Sequence, residues 1–200
     1  MKNPGGTNLT IVNVGYRSTN FWVVSAGASR MLFDLGWPGT MGAMMANLRR
    51  MNIPLAQIRC GVASHYHIDH AGLAQELKLA GMRLLVFETQ FEAIPLMKAF
   101  TKPHDHYLEI TTDDIAPVSF TESRSILEQI GIAGEILSTP GHSDDSVSLL
   151  LDDGAVFTGD LPPEEIPEAG DAGLVRASWR LLRECGAKRV FPAHGPMRPM

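Results

Sequence analysis

The chain has 200 residues, which is enough to bury a substantial core in one domain. Its composition, 44% hydrophobic and 20% charged with a mean hydropathy near zero, is that of an ordinary globular protein. A net charge of −5 gives no basic surface for nucleic acid or an anionic membrane, and no apolar run is long enough to span a bilayer. We therefore expect a single domain over residues 1–200 that binds neither nucleic acid nor membrane.

Two features bear on the cellular compartment. Residues 1–6 carry one positive charge, Lys2, and no apolar segment follows it, so no secretory signal is expected. Cys60 and Cys185 are isolated in apolar contexts, which is typical of reduced core thiols rather than of a disulfide. Together these features predict a cytoplasmic location.

Strands and helices alternate along the chain. Short runs rich in β-branched and aromatic residues predict strands at 8–14, 20–24, 31–36, 58–63, 83–87, 133–137, 147–151, 155–158 and 189–192. Apolar residues at helical spacing predict helices at 40–51, 71–79, 88–100, 121–130 and 172–185. Pro95 is expected to kink the third of these helices. Each half of the chain has strands, then a helix, with ligand-type residues at strand ends, which indicates two similar halves.

The segment 64–72 contains the pattern H-x-H-x-D-H, formed by His65, His67, Asp69 and His70. Neutral imidazoles and a carboxylate are ligands suited to a borderline metal such as zinc. His65 and His67 can converge on one metal if the loop turns between them, and Asp69 and His70 can face a second. A solvated loop rarely carries four such residues in this register, so we interpret the segment as a metal-binding loop.

Three later residues, His142, Asp160 and His194, also lie where an apolar strand ends in a turn containing Gly or Pro. Taken singly, they have ordinary alternatives as a turn histidine, a helix N-cap and a surface residue. Strand ends gather along one sheet edge in a layered α/β protein, so all seven residues are expected to form one site. His104 and His106 lack a strand-loop-helix setting and are predicted to lie on a surface loop.

With the motifs H-x-H-x-D-H, T-P-G-H, T-G-D and A-H-G, the chain resembles the metallo-β-lactamase superfamily over nearly its whole length. The resemblance implies an α/β fold of the four-layered αββα sandwich type. It also implies three ligands for a first metal, three for a second and one bridging aspartate, namely His65, His67 and His142; Asp69, His70 and His194; and Asp160. Asp34 matches an early aspartate of the superfamily and is expected to support the ligand loops. Two zinc ions per chain are the expected cofactor, with iron or manganese as alternatives.

The function implied by the resemblance is a metal-dependent hydrolase. The resemblance implies that two metals would supply a hydroxide for attack on the carbonyl of an ester, thioester or lactone and a Lewis acid for the carbonyl oxygen. Asp69 is the predicted catalytic residue, because it would orient the hydroxide as well as bind metal. The expected partner is a small-molecule substrate, and a homodimer is a further expectation because members of the superfamily often dimerise.

Several branches of the superfamily remain to be weighed. β-Lactamase-type amide hydrolysis is disfavoured, because those enzymes generally have a secretory signal and lack the bridging aspartate. Glyoxalase II-like thioesterases and lactonases keep all seven ligands. A sulfur dioxygenase with a single iron, held by His65, His142 and Asp160, is the main alternative and differs only in its metal. A non-catalytic sensor is disfavoured by the intact ligand set.

Two features near the expected site have two interpretations each. The loop at 161–171 is rich in acidic residues and either lines the entrance, where it would discourage anionic substrates, or is simply solvated. Phe21, Trp22, Trp37 and Met41 either form an apolar wall for an acyl chain or pack in the core.

Overall fold

A computed structural model describes residues 9–200 of the chain. Its first sheet consists of β1 (Leu9–Asn13), β2 (Trp22–Ala26), β3 (Ser29–Phe33), β4 (Ile58–Val62) and β5 (Arg83–Leu84), in that spatial order. The second sheet consists of β6 (Gly134–Ser138), β7 (Val147–Leu151), β8 (Ala155–Gly159), β9 (Arg189–Pro192) and β10 (Arg198–Pro199), also in sequential order across the sheet. The predicted strand start at Asn8 and the segment considered as a signal lie outside the described residues.

The α-helices are α1 (Met41–Arg50), α2 (Ile68–Ala71), α3 (Ala74–Leu79), α4 (Ser123–Gln129) and α5 (Ala172–Glu184). Short 3₁₀ segments occur at Leu55–Gln57, Phe91–Phe100, Pro103–Asp105, Phe120–Glu122 and Pro167–Ala169. Within residues 9–200, no helix combines the length and the apolar character needed to cross a membrane.

The pairing of strands repeats between the two sheets. β1–β2 and β2–β3 are antiparallel and β3–β4 is parallel; likewise β6–β7 and β7–β8 are antiparallel and β8–β9 is parallel. This repeat confirms the prediction of two similar halves. The sheets differ at the far edge, where β4–β5 is parallel and β9–β10 is antiparallel.

Apolar side chains on the two faces of each sheet build three packed layers of core. On β3, Leu32 packs toward α1 and α3, whereas Phe33 points between the sheets, because successive strand residues face opposite sides. On β8, Phe157 meets Phe33 at a ring-centroid distance of 5.9 Å, and Val156 packs on Trp179 of α5. Helices thus cover the outer face of each sheet, which confirms the predicted αββα sandwich.

The predicted helix at 71–79 is wrong at its start. α2 begins at Ile68, so that Asp69 and His70 lie in its first turn, and the helix breaks at Gly72 before α3 begins. A Cβ on Gly72 would lie 2.3 Å from the backbone nitrogen of Pro38, so this close approach of two chain segments requires glycine.

Three other predictions need correction. The predicted helix at 88–100 is a 3₁₀ segment, and Pro95 inside it has no N–H to donate to an α-helical ladder. The predicted strand at 83–87 ends at Leu84. Cys60 is buried between the sheets as expected, but Cys185 is exposed at the C-terminal end of α5, where no sheet covers it; both thiols are free.

Candidate metal centre

The seven predicted ligands lie together at one edge of the sandwich. Four chain segments deliver them, each just beyond the end of a strand: the loop after β4 with α2, the loop after β6, the residue after β8 and the turn after β9. The predicted ligands in these segments are His65, His67, Asp69 and His70; His142; Asp160; and His194. The structure therefore brings together all seven residues that the sequence motifs predict as metal ligands.

A first group consists of three histidines. His67 Nδ1 lies 2.9 Å from His65 Nε2 and 3.1 Å from His142 Nε2, so three ring nitrogens face a common point. Burial lowers the pKa of His65 well below its ordinary value, and the neighbouring histidines lower it further. Burial also lowers the pKa of His142. These two imidazoles are therefore neutral near pH 7, which is the form that binds a metal ion.

A second group, formed by Asp69, His70 and His194, contains one carboxylate as well as two imidazoles. Asp69 Oδ2 lies 3.3 Å from His70 Nε2 and 3.4 Å from His194 Nε2. Burial opposes the charge on Asp69, but hydrogen bonding and attraction to His70 lower its pKa to about 2. Asp69 is consequently ionised at any working pH and can act as an anionic ligand.

Asp160 lies between the two groups. Its Oδ2 is 3.3 Å from His70 Nε2 and 3.7 Å from His142 Nε2, and its Oδ1 is 3.3 Å from His194 Nε2. Burial raises the pKa of this carboxyl, but His70, His194 and His142 outweigh burial and lower it. The carboxylate thus reaches one histidine of the first group and two of the second, which is the placement that a bridging ligand requires.

Unsatisfied polar atoms support metal binding at this edge. His70 Nε2 and Asp160 Oδ1 are buried without a well-aligned hydrogen bond, although carboxylate or imidazole groups lie within 3.3 Å of each. A buried polar atom without a partner is costly, and a metal ion would satisfy both atoms. Since nitrogen and carboxylate oxygen donors suit zinc and neighbouring transition metals, the residues present fit one ion in each group.

Asp34 supports both the metal-binding loop and the second group. Its Oδ1 accepts a hydrogen bond of 2.7 Å from the backbone nitrogen of Ser64, and its Oδ2 lies 3.2 Å from His70 Nδ1. Burial disfavours the charged form of His70, but Asp34, Asp160 and Asp69 together raise its pKa well above the ordinary value, so a metal ion that binds at Nε2 would displace a proton there. Asp34 has a φ of 66°, a strained conformation for a residue other than glycine. The expectation that Asp34 supports the ligand loops is confirmed.

Residues of the loop between β1 and β2 contact two members of the second group, Asp69 and His194. Sequence reasoning missed these contacts. Thr19 Oγ1 donates to Asp69 Oδ2 at 3.3 Å, and Trp37 Nε1 donates to Thr19 Oγ1 at 3.2 Å. His194 Nδ1 lies 2.6 Å from the carbonyl oxygen of Ser18. Because a carbonyl only accepts, Nδ1 carries the proton, and Nε2 is left with a lone pair for a metal. Thr19 is 50 residues from Asp69, so no local pattern could have revealed this contact.

The first group has its own support, also missed from the sequence. Ser64 Oγ lies 3.0 Å from His65 Nδ1, and Asp145 Oδ2 accepts a 2.7 Å hydrogen bond from the backbone nitrogen of Tyr66. Gly159 has a φ of 54°, and a Cβ there would lie 2.3 Å from Ser64 Oγ. Only glycine allows the end of β8, and with it the bridging aspartate, to approach the metal-binding loop so closely.

The features with two interpretations are resolved by their contacts. Phe21 and Trp22 are buried in the core, with exposed fractions of 0% and 7%, so they do not form a wall for substrate. Trp37 is half-buried beneath the guanidinium of Arg17 at 5.2 Å, and Met41 packs against the core. In the loop at 161–171, three acidic side chains are bound to α5, through the pairs Glu164–Arg183 and Glu168–Arg176 and through Asp171, which caps the helix, whereas Glu165 is exposed. His104 and His106 are exposed and belong to none of the metal-binding groups of the described chain, so the surface-loop prediction is confirmed.

Comparisons with known proteins agree with this geometry. Residues 14–194 match the model of the family described as the Metallo-beta-lactamase superfamily. The chain is 24% identical to a beta-lactamase-like protein 2 homolog of Caenorhabditis elegans, over 98% of this chain and 59% of the relative. It is 26% identical to an atrochrysone carboxyl ACP thioesterase of Aspergillus terreus, over 90% of this chain and 50% of that protein. The chain therefore spans little more than half the length of these curated relatives.

A solved structure shares the fold of this chain. A metallo-beta-lactamase family protein from Thermus thermophilus superposes with a TM-score of 0.70 at 21% identity, over 96% of this chain and 74% of that one. This likeness concerns the fold. Because the family model matches nearly the entire chain, the protein belongs to the metallo-β-lactamase superfamily.

Proposed function

We propose that the protein is a metallo-hydrolase that cleaves a thioester, ester or lactone of a small-molecule substrate. The observation that carries this proposal is the convergence of two ligand groups on one edge of the sandwich, with Asp160 between them. His65, His67 and His142 would hold one ion; Asp69, His70 and His194 would hold the other. Zinc is the proposed metal, because three imidazoles form a donor set that zinc commonly takes.

Two such ions would supply a hydroxide near neutral pH, by lowering the pKa of a shared water, and a Lewis acid for the carbonyl oxygen. The protein's own task is then to position groups. Asp69 is ionised and fixed from three sides, by Thr19, His70 and His194, so its carboxylate can accept a hydrogen bond from the attacking nucleophile in a constant orientation. No serine or cysteine is needed as a nucleophile.

The thioester class is supported by the relative from Aspergillus terreus, whose name is that of a thioesterase. That relative is about twice as long as the matched region, so the inference concerns the chemistry of the shared domain and not its acyl carrier. We further propose a single domain over residues 1–200. The cytoplasmic location and the homodimer stay predictions.

The metal content of protein purified without added metal tests this proposal. About two zinc ions per chain are expected, together with hydrolysis of at least one member of a panel of thioesters and lactones. His67→Ala should lose metal and activity, whereas His104→Ala, which alters an exposed loop histidine, should keep both. Full metal content and activity in His67→Ala would contradict the assignment.

The alternative function, a mononuclear iron dioxygenase, uses three of the same residues. One observation favours this alternative. Asp160 Oδ2 lies only 3.7 Å from His142 Nε2, and both residues adjoin His65, so these three side chains could hold a single ion. One iron and no zinc per chain, with oxygen consumption in the presence of a persulfide, would replace the hydrolase by this alternative.

A further inference from the structure

A cavity of about 390 Å³ opens directly beside the first ligand group. One wall is the 3₁₀ segment Phe91–Phe100, and the other is formed by the loop residues 143–145 that follow His142. Tyr66 and His67 form part of its lining, so the cavity is continuous with the proposed metal centre. Its volume lies in the range of pockets that bind small molecules.

The 3₁₀ wall is apolar on both of its faces. Ile94 and Met97 point inward and are buried in the core, with exposed fractions of 3% and 0%. Leu96 and Phe100 point outward into the cavity and remain 62% and 67% exposed. A surface segment normally presents polar residues to water, so two large apolar side chains exposed beside a reactive site indicate a binding surface.

The charges around the cavity restrict what it can bind. Glu92, Asp144 and Asp145 contribute to its lining, and no lysine or arginine of the described chain does so. Asp145 is occupied by its hydrogen bond with the backbone of Tyr66, whereas Glu92 and Asp144 are exposed at the rim. An anionic substrate arm would be repelled there, while an uncharged aliphatic arm would cover the apolar wall.

We propose that this cavity, the acyl groove, binds the uncharged aliphatic acyl chain of the substrate. The chain would lie along Leu96 and Phe100, and its carbonyl end would reach the metal centre past His67. The inference rests on the proposed hydrolase function, and it narrows the substrate class to aliphatic acyl compounds without charge on the acyl arm.

The test uses the metal-loaded full chain and neutral N-acetylcysteamine thioesters whose acyl group grows from acetyl to octanoyl. We expect kcat/KM to rise about twofold to fourfold per added methylene, the larger value corresponding to complete burial of each CH₂. In Leu96→Asp and in Phe100→Ser, the octanoyl-to-acetyl ratio should fall toward one. Leu79→Asp provides a matched control, since Leu79 is 71% exposed on α3 outside the groove and its substitution should leave the ratio unchanged.

A second measurement tests the acyl groove independently of the hydrolase proposal. Ketone analogues, in which CH₂ replaces the thioester sulfur, cannot be cleaved, and their binding is followed by calorimetry. Hydrolysis that does not depend on acyl length, or a length dependence that Leu96→Asp retains in full, would overturn the groove while the hydrolase proposal stands. If no thioester is cleaved, ketone affinity decides: a gain with acyl length that is lost in Leu96→Asp supports the groove, and its absence overturns it.

Discussion

The two ligand groups of this site differ in their donor groups and in the contacts that hold them in place. The first group consists of three imidazoles, whose positions depend on buried strand ends and on the close approach of Gly159 to Ser64. The second group contains the carboxylate of Asp69 and is surrounded by polar partners from distant segments, among them Asp34 and Thr19. The first group therefore depends chiefly on packing, with Ser64 as its hydrogen-bonding neighbour, and the second depends on a wider polar network. Substitutions of Asp34 and Thr19 should therefore weaken the second group and spare the first.

The largest effect is expected where the two groups meet. Asp160→Ala removes the one carboxylate that contacts histidines of both groups, so metal binding by each should fail. Because metal-assisted catalysis contributes several kcal/mol, hydrolysis should fall about 10³-fold or more. Metal content and kcat/KM measure the change. Asp153→Ala, at the exposed hairpin before β8, is the control and should alter neither quantity.

Two isosteric variants, Asp34→Asn and Asp145→Asn, test most directly whether the two ligand groups are held in place differently. Asp34 and Asp145 each accept a 2.7 Å hydrogen bond from a backbone nitrogen of the metal-binding loop, but only Asp34 also faces a ligand ring, that of His70. Asp34→Asn should weaken metal binding in the second group about 10-fold to 100-fold, because it removes the charge that orients His70. Asp145→Asn keeps the acceptor oxygen and should retain both metals.

Metal titration of the two variants in parallel tests this difference. Equal loss of metal from both variants would show that the loop as a whole, rather than the polar network of the second group, controls affinity. Equal retention would show that Asp34 acts on the fold alone.

A smaller effect is expected at Thr19. Thr19→Val preserves shape but removes the hydroxyl that donates to Asp69, a hydrogen bond whose net worth is about 1 kcal/mol. We expect kcat to fall about fivefold with little change in KM, because Asp69 would be less firmly oriented. Thr19→Ser keeps the hydroxyl and should restore most of the rate. An unchanged kcat in Thr19→Val would mean that Thr19 does not position Asp69.

The sequence predicts the fold and the gathering of the site residues for one physical reason. Buried strands such as β7 and β9 are short apolar runs between turns, so their bounds can be predicted from the local sequence pattern. His142, Asp160 and His194 follow such runs, and sheet geometry then brings strand ends to one edge. That these residues bind metal stays a prediction.

What the sequence does not predict depends on contacts between distant segments. The break between α2 and α3 arises where Gly72 lies against Pro38, and Thr19 meets Asp69 only after the sheet has formed. The acyl groove cannot be predicted from the sequence for a related reason. Leu96 and Phe100 are apolar residues in an apolar segment, so their sequence context does not distinguish them from core residues, and only the folded structure reveals their exposure.

The smallest effect on either group is expected at Cys60. This residue lies on β4, the strand that leads into both groups, yet its side chain is buried between the sheets. Burial raises the pKa of its thiol to about 12, so the thiol stays protonated below that pH and offers no thiolate to a metal. A cobalt-substituted protein should therefore lack a thiolate-to-cobalt charge-transfer band, and Cys60→Ser should keep both metals.

Thiol titration completes the test of Cys60. At pH 8 the folded protein should react with about one equivalent of a disulfide reagent per chain, at the exposed Cys185, and Cys185→Ser should abolish the reaction. Both thiols should react in denaturant. Rapid reaction of Cys60 in the folded chain, or a charge-transfer band that Cys60→Ser removes, would show that a thiolate belongs to the site and that the division into an imidazole group and a carboxylate group is incomplete.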